Sequence, residues 1–109
     1  ASQIDAANEV LIVSVEGLEN VSALVIQATD AGTVTLALTK SYDGTLFVPF
    51  GASIAEADFT AGNNTAIERT LSDSNGMPTM AKLVKLTASA LASGGVYKLQ
   101  VSGKKRAGF

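Results

Sequence analysis

Ten carboxylates are the residues with the widest chemical capacity in this sequence: Asp5, Glu9, Glu16, Glu19, Asp30, Asp43, Glu56, Asp58, Glu68 and Asp73. A glycosidase needs two such groups facing each other about 5 to 10 Å apart across a groove. Here they are scattered among turn signals and strand edges, and no aromatic-rich sugar platform accompanies them. Histidine and cysteine are both absent. Ser-His-Asp catalysis, thiol nucleophiles and thiolate metal sites are therefore unavailable to the chain, as is the commonest transition-metal ligand. The run Asp73-Ser74-Asn75-Gly76 resembles a calcium loop only in its first residues. The further ligands and bidentate Glu of an EF-hand are missing, and an Asx-type turn explains the same residues. Asp43-Gly44 has the same explanation. Asn20-Val21-Ser22 and Asn63-Asn64-Thr65 match a glycosylation sequon, a pattern frequent by chance. The expectation is a chain with no catalytic residue, no cofactor, no bound metal and no enzymatic activity.

With chemistry set aside, composition points to contact with other proteins. A net charge of -2 lacks the basic face a general nucleic-acid binder presents. Only 17% of the residues are charged, whereas 47% are apolar and 6% aromatic, so the apolar content is mostly Ala, Val and Leu. A mean hydropathy of +0.29 leans toward assembly. No apolar run approaches the roughly 20 residues of a membrane helix, and ASQIDAANEV carries no basic region followed by an apolar stretch. No nucleic acid and no membrane are expected as partners.

The elements that must position any contact surface are strands. In the stretch 33–50, Val34, Leu36 and Leu38 alternate with Thr33, Thr35, Ala37 and Thr39, and Asp43-Gly44 supplies a turn before Leu46, Phe47 and Val48. Leu36 and Phe47 are expected in the core. Upstream, Glu9 to Val15 is β-branched, with Leu11, Val13 and Val15 on one face and Val10 and Ile12 on the other. Ser22 to Ala28 is a second strand, and Asp30-Ala31-Gly32 turns it into the next. These three predict a meander or Greek-key start. The connection 51–65 holds room for one short helical turn around Ala55 to Phe59. Ala66 to Leu71, Lys82 to Ala88 and Val96 to Ser102 complete the set, with Ser72 to Pro78 and Gly94-Gly95 as turns. Leu83 to Leu91 also contains good helix formers, but Val84, Thr87 and the following Gly-Gly favour a strand. About seven or eight short strands on this spacing predict an all-β, antiparallel, jelly-roll-like β-sandwich. Its expected limits are residues 9–103, between an N-terminal arm at 1–8 and a short basic tail at 104–109.

The stretch VTLALTKSYDGTLFVPF, preceded by VSVEGLENVSALVIQATDAGT, resembles a β-sandwich module that recurs in tailed-phage virion proteins. The matching positions are Gly17, Leu18, Gly32, Thr33, Ser41, Asp43, Gly44, Phe47, Val48 and Pro49, and KLVKLTASALASGGVYKLQVSG resembles the closing strands of such modules. The family commonly has Trp where Phe47 stands. The resemblance spans about Val10 to Ser102. It implies a structural virion protein, a capsid decoration or cementing protein that binds symmetric sites on the particle and is assembled in the host cytoplasm. Capsid or other virion proteins are the implied partners. A domain this poor in charge is expected to form a homo-oligomer through the strand Glu9 to Val15 or the connection Gly51 to Thr65, and the resemblance implies a trimer. The alternative is a carbohydrate- or receptor-binding module of a tail or fibre. The residues expected to touch partners are Ile4 in the arm, Val10 and Ile12 on the two-sided strand, and Lys104, Lys105, Arg106 and Phe109 in the tail.

Overall fold

The computed structural model describes residues 3–70 and 81–105. Among these described residues, eight strands form two antiparallel sheets packed as a sandwich. They are β1 (Val10–Ser14), β2 (Leu18–Thr29), β3 (Val34–Ser41), β4 (Phe47–Pro49), β5 (Ile54–Ala55), β6 (Thr65–Thr70), β7 (Leu83–Leu91) and β8 (Val96–Lys105). The larger sheet runs β1-β7-β3-β4, with β5 also on β3, and the smaller runs β6-β2-β8. A single 3-10 turn at Glu56–Asp58 falls where a helical turn was expected, its start held by the Ala55 N–H donating to Asp58 Oδ2 at 2.8 Å. Leu83 to Leu91 is strand throughout.

Side-chain parity explains which face of each strand is buried. Leu11 and Val15 of the β1 segment, Val21, Ala23 and Val25 of β2, Val34, Leu36 and Leu38 of β3, and Val84, Leu86 and Ala88 of β7 meet between the sheets. The same parity places Gln27 and Lys40 inward at the ends of their strands. Gln27 sits opposite Tyr97 of β8, whose hydroxyl donates to Gln27 Oε1 at 2.5 Å, while Gln27 Nε2 donates to the Gly62 carbonyl at 3.0 Å. Phe59 packs on the Tyr97 ring at 5.6 Å between centroids. The 51–64 connection is thereby fastened over one end of the core.

The connectivity differs from a meander. β1, β2 and β3 alternate between the sheets, and among the described residues β3–β4 is the one pair of consecutive strands hydrogen-bonded to each other. The Asp30-Ala31-Gly32 turn is an arch rather than a hairpin: Asp30 Oδ1 accepts from Gly32 N and its Oδ2 from Gly62 N, which directs the chain across the sandwich. Phe47 also departs from expectation. It is half-buried on the outer side of β4, and Phe50 enters the core instead. Ser41 and Phe47 are opposite one another, so Phe47 shares the outward parity of Thr39 and Ser41, whereas Phe50 follows the turn of the chain inward.

The segment expected as an arm is part of the fold. Ile4 is fully buried and exchanges backbone hydrogen bonds with Tyr97, each at 2.8 Å. Lys104 and Lys105 are the last residues of β8, opposite Glu19 and Leu18, and not a free tail. The long β2 supplies backbone partners that far, and Gly103 permits the approach, since a Cβ there would lie 3.2 Å from the Glu19 carbonyl oxygen. Leu71, the Ser72 to Pro78 turn with Asp73, and Arg106 and Phe109 lie outside the described residues.

Candidate interaction surface

Among the described residues, only one of the two outer faces of the sandwich presents apolar residues with little charge around them. Strand register fixes its rows. Val10 lies beside Thr87 and Ala37; Ile12 beside Lys85, Thr39 and Pro49; Ser14 beside Leu83, Ser41 and Phe47. Val10 and Ile12 are 40% and 55% exposed, and Leu83 and Phe47 are half-buried. The Lys85 ammonium stands 4.0 Å from the Phe47 ring centroid, a cation–π contact that stabilises by about 0.5 to 1 kcal/mol at a wet site. Lys85 is the one charged residue in these rows.

The smaller sheet's outer face is different in kind. Leu24 is flanked there by Glu68 and Gln100, and Ile26 by Ala66 and Lys98. Both apolar side chains are half-buried among polar and charged neighbours, as a solvated face requires.

At the β4 end of the larger sheet the loop 42–46 projects Tyr42 and Leu46, the latter 69% exposed. This loop is longer than a two-residue Asp-Gly hairpin. Asp43 Oδ1 accepts from Thr45 N and Leu46 N, each at 2.8 Å, and from Ser41 Oγ at 3.1 Å; Ser41 Oγ in turn accepts from Gly44 N. Those donors, the Leu46 N–H foremost, hold the Asp43 carboxyl below its ordinary range. Gly44 has φ +86, the left-handed conformation in which an L side chain is strained. On the inner side of this end, the buried Lys40 ammonium lies 5.2 Å from the Phe50 ring and 5.4 Å from the Tyr42 ring.

Of the residues read as contacts, Val10 and Ile12 share this face. Ile4 belongs to the chain's own core, and Lys104 and Lys105 sit on the smaller sheet. Leu83, Lys85 and Phe47 complete the surface; none of them was read as a contact, and Phe47 was assigned to the core instead. The parity of Leu83 and Lys85 opposite the buried Val84 and Leu86 was the available signal. Among the described residues, no group of three or more carboxylates is placed to hold a metal ion, and no helix is long and apolar enough to cross a membrane.

No protein-family model matches the chain, and neither does any curated protein or any solved structure.

Proposed function

We propose that this chain is a structural virion protein of a tailed phage that decorates or cements the capsid by binding symmetric sites on the particle. The assembly role rests on one observation, the outer face of the larger sheet on which Val10, Ile12, Leu83 and Phe47 lie with a single charge, Lys85. Water contact with that face is unfavourable, and a specific interface covers about 800 Å² per partner. The phage setting, capsid or other virion partners and a trimeric state come from the module resemblance alone. The chain's place is then the virion, assembled in the host cytoplasm, with no enzymatic step.

The alternative, recognition of a carbohydrate or receptor by a tail or fibre, needs exposed aromatic platforms. Phe50, Phe59 and Tyr97 are buried, and Lys85 stands over Phe47, which leaves Tyr42 as the exposed ring among the described residues. The aromatic inventory favours the structural reading.

Co-sedimentation tests it. The purified chain is expected to pellet with capsids stripped of accessory proteins and to stay in the supernatant with tails, and Ile12→Lys is expected to weaken pelleting. A chain that ignores capsids, or an Ile12→Lys variant that binds as well as the parent, overturns the proposal.

A further inference from the structure

The outer edge of β1 carries information beyond its side chains. β1 is the terminal strand of the larger sheet. Its inner edge is bonded to the β7 side, with Asn8 N donating to the Ala88 carbonyl at 2.7 Å and Val15 N to the Lys82 carbonyl at 2.8 Å. Antiparallel alternation then turns the Leu11 and Val13 backbone groups toward Leu86 and Val84. The N–H and C=O groups of Val10, Ile12 and Ser14 point away from the sheet.

Exposed strand edges are normally guarded by charge, proline or short length. β8 carries Lys98, Lys104 and Lys105, β6 carries Glu68 and Arg69, and β4 is a three-residue strand ending in Pro49. β1 reads Val-Leu-Ile-Val-Ser, without any such guard.

We infer that β1 pairs antiparallel with β1 of a second copy of this chain about a two-fold axis, Ile12 opposite Ile12 and Val10 opposite Ser14. This register engages all three outward-pointing residues of each copy. Asn8, at φ 69, ends the extended conformation on the N-terminal side and disfavours slipped pairings that reach it. The sequence suits its own two-fold: uncharged residues meet uncharged residues, bulky Val10 meets small Ser14, and the flanking Glu9 and Glu16 fall opposite Val15 and Asn8, so no like charges face each other. That self-complementarity favours a second copy over an unrelated strand. Such a short edge is smaller than the roughly 800 Å² per partner of a stable interface. The pair is therefore weak alone and effective where many copies are held close, as on a particle. The inference rests on the assembly reading above for its setting. A two-fold contact closes at two chains, so a threefold association would use another surface and this edge would join neighbouring trimers.

Because the chain has no cysteine, single cysteines report the contact. Opposed residues at about 5.5 Å between Cα atoms lie within disulfide reach. In oxidised glutathione, Ile12→Cys is expected to form a linked dimer at least about ten times faster than Leu46→Cys, a collision control, because the paired state raises the local thiol concentration. Val10→Cys and Ser14→Cys are expected to link to each other when mixed, each faster than to itself. Equal rates for Ile12→Cys and Leu46→Cys, both melting like the parent when reduced, overturn the pairing. If Ile12→Cys fails to fold, the Val10→Cys and Ser14→Cys mixture decides, and linkage there no faster than self-linkage also overturns it. Fast Ile12→Cys linkage with no capsid binding would leave the pairing standing and remove the virion reading, whereas capsid binding without linkage would do the reverse.

Discussion

Tyr97 is the residue on which most of the buried polar order depends. Its hydroxyl donates to Gln27, its backbone exchanges two bonds with Ile4, and its ring carries Phe59. Tyr97→Phe leaves the Gln27 carboxamide oxygen without that donor inside the core, a loss of about 1 to 3 kcal/mol readable by chemical denaturation. The phenol pKa is pushed up to about 12, chiefly by burial and then by the charges of Asp30 and Glu56. A folded value above the ordinary 10.0 means that this stabilising contribution is complete below pH 10 and is lost as pH rises through the folded value. Stability is expected to fall between those limits, and less steeply in Tyr97→Phe. Ultraviolet titration of a Tyr42→Phe variant, which retains one tyrosine, reads the shifted group directly. The two phenylalanines flanking Val48 and Pro49 separate just as clearly. Phe50→Ala is expected to cost about 3 to 5 kcal/mol as a core truncation, and Phe47→Ala less, since Phe47 packs outside the core beneath Lys85. Equal losses for the two would contradict the register of β4.

At the scale of elements, the 42–46 loop is held by one carboxylate. Asp43→Ala removes the acceptor of the Thr45 and Leu46 amides and is expected to lower thermal stability, with Asp43→Asn milder because an amide oxygen can still accept. The folded pKa of Asp43 lies below the ordinary 3.8, so its contribution is complete above that value and disappears as pH falls through the depressed one. Thermal melts on the acid side should therefore steepen in the parent relative to Asp43→Ala. A second fastening joins the sheets: Arg69 of β6 donates to the Phe50 and Ala52 carbonyls at 2.9 and 2.8 Å, around Gly51 at φ +81. A Cβ on Gly51 would stand 2.7 Å from Arg69 Nη1, so Gly51→Ala is expected to destabilise through both backbone strain and displacement of that guanidinium. An unchanged melting temperature for Gly51→Ala would refute that coupling.

These elements also mark how far the sequence could be read. Strand existence followed from period-two alternation, and Val34, Leu36 and Leu38 are buried as the pattern requires. Pairing partners were not legible, because alternation states which side of a strand is apolar and not which other strand completes the sheet. The outward positions of Val10 and Ile12 were readable in that limited sense. Their assembly with Leu83 and Phe47 was not, since it depends on β7 entering between β1 and β3. Ile4 was read as a partner contact in an arm because one apolar residue carries no period, whereas its place is set by a backbone bridge to a strand far along the chain.

For the whole molecule, the governing fact is that partners are distant in sequence. Val10 pairs with Thr87 and Leu18 with Lys105. Loops of that length must close before their contacts stabilise anything, so folding is expected on the slow side of the usual millisecond-to-second range for β-sandwiches. Stopped-flow refolding by tyrosine fluorescence measures it, and a microsecond phase carrying the full amplitude would contradict the pairing. Leu36→Ala, at the centre of β3, is expected to lose about 2 to 5 kcal/mol because β3 contacts both β7 and β5.

The late position of β7 also bears on biosynthesis. β7 lies between β1 and β3 in the larger sheet, yet the ribosome makes it after both. During elongation the Val10–Ser14 segment leaves the exit tunnel with no intramolecular strand to pair with, and it waits several seconds at ordinary synthesis rates. A polypeptide terminated before Leu83 lacks the central strand of one sheet and an edge strand of the other. Fragments of that kind cannot complete the β1-β7-β3 pairing and are expected to be cleaved by added protease far faster than the full chain, so in this strand order the protected form waits on synthesis of β7 and β8.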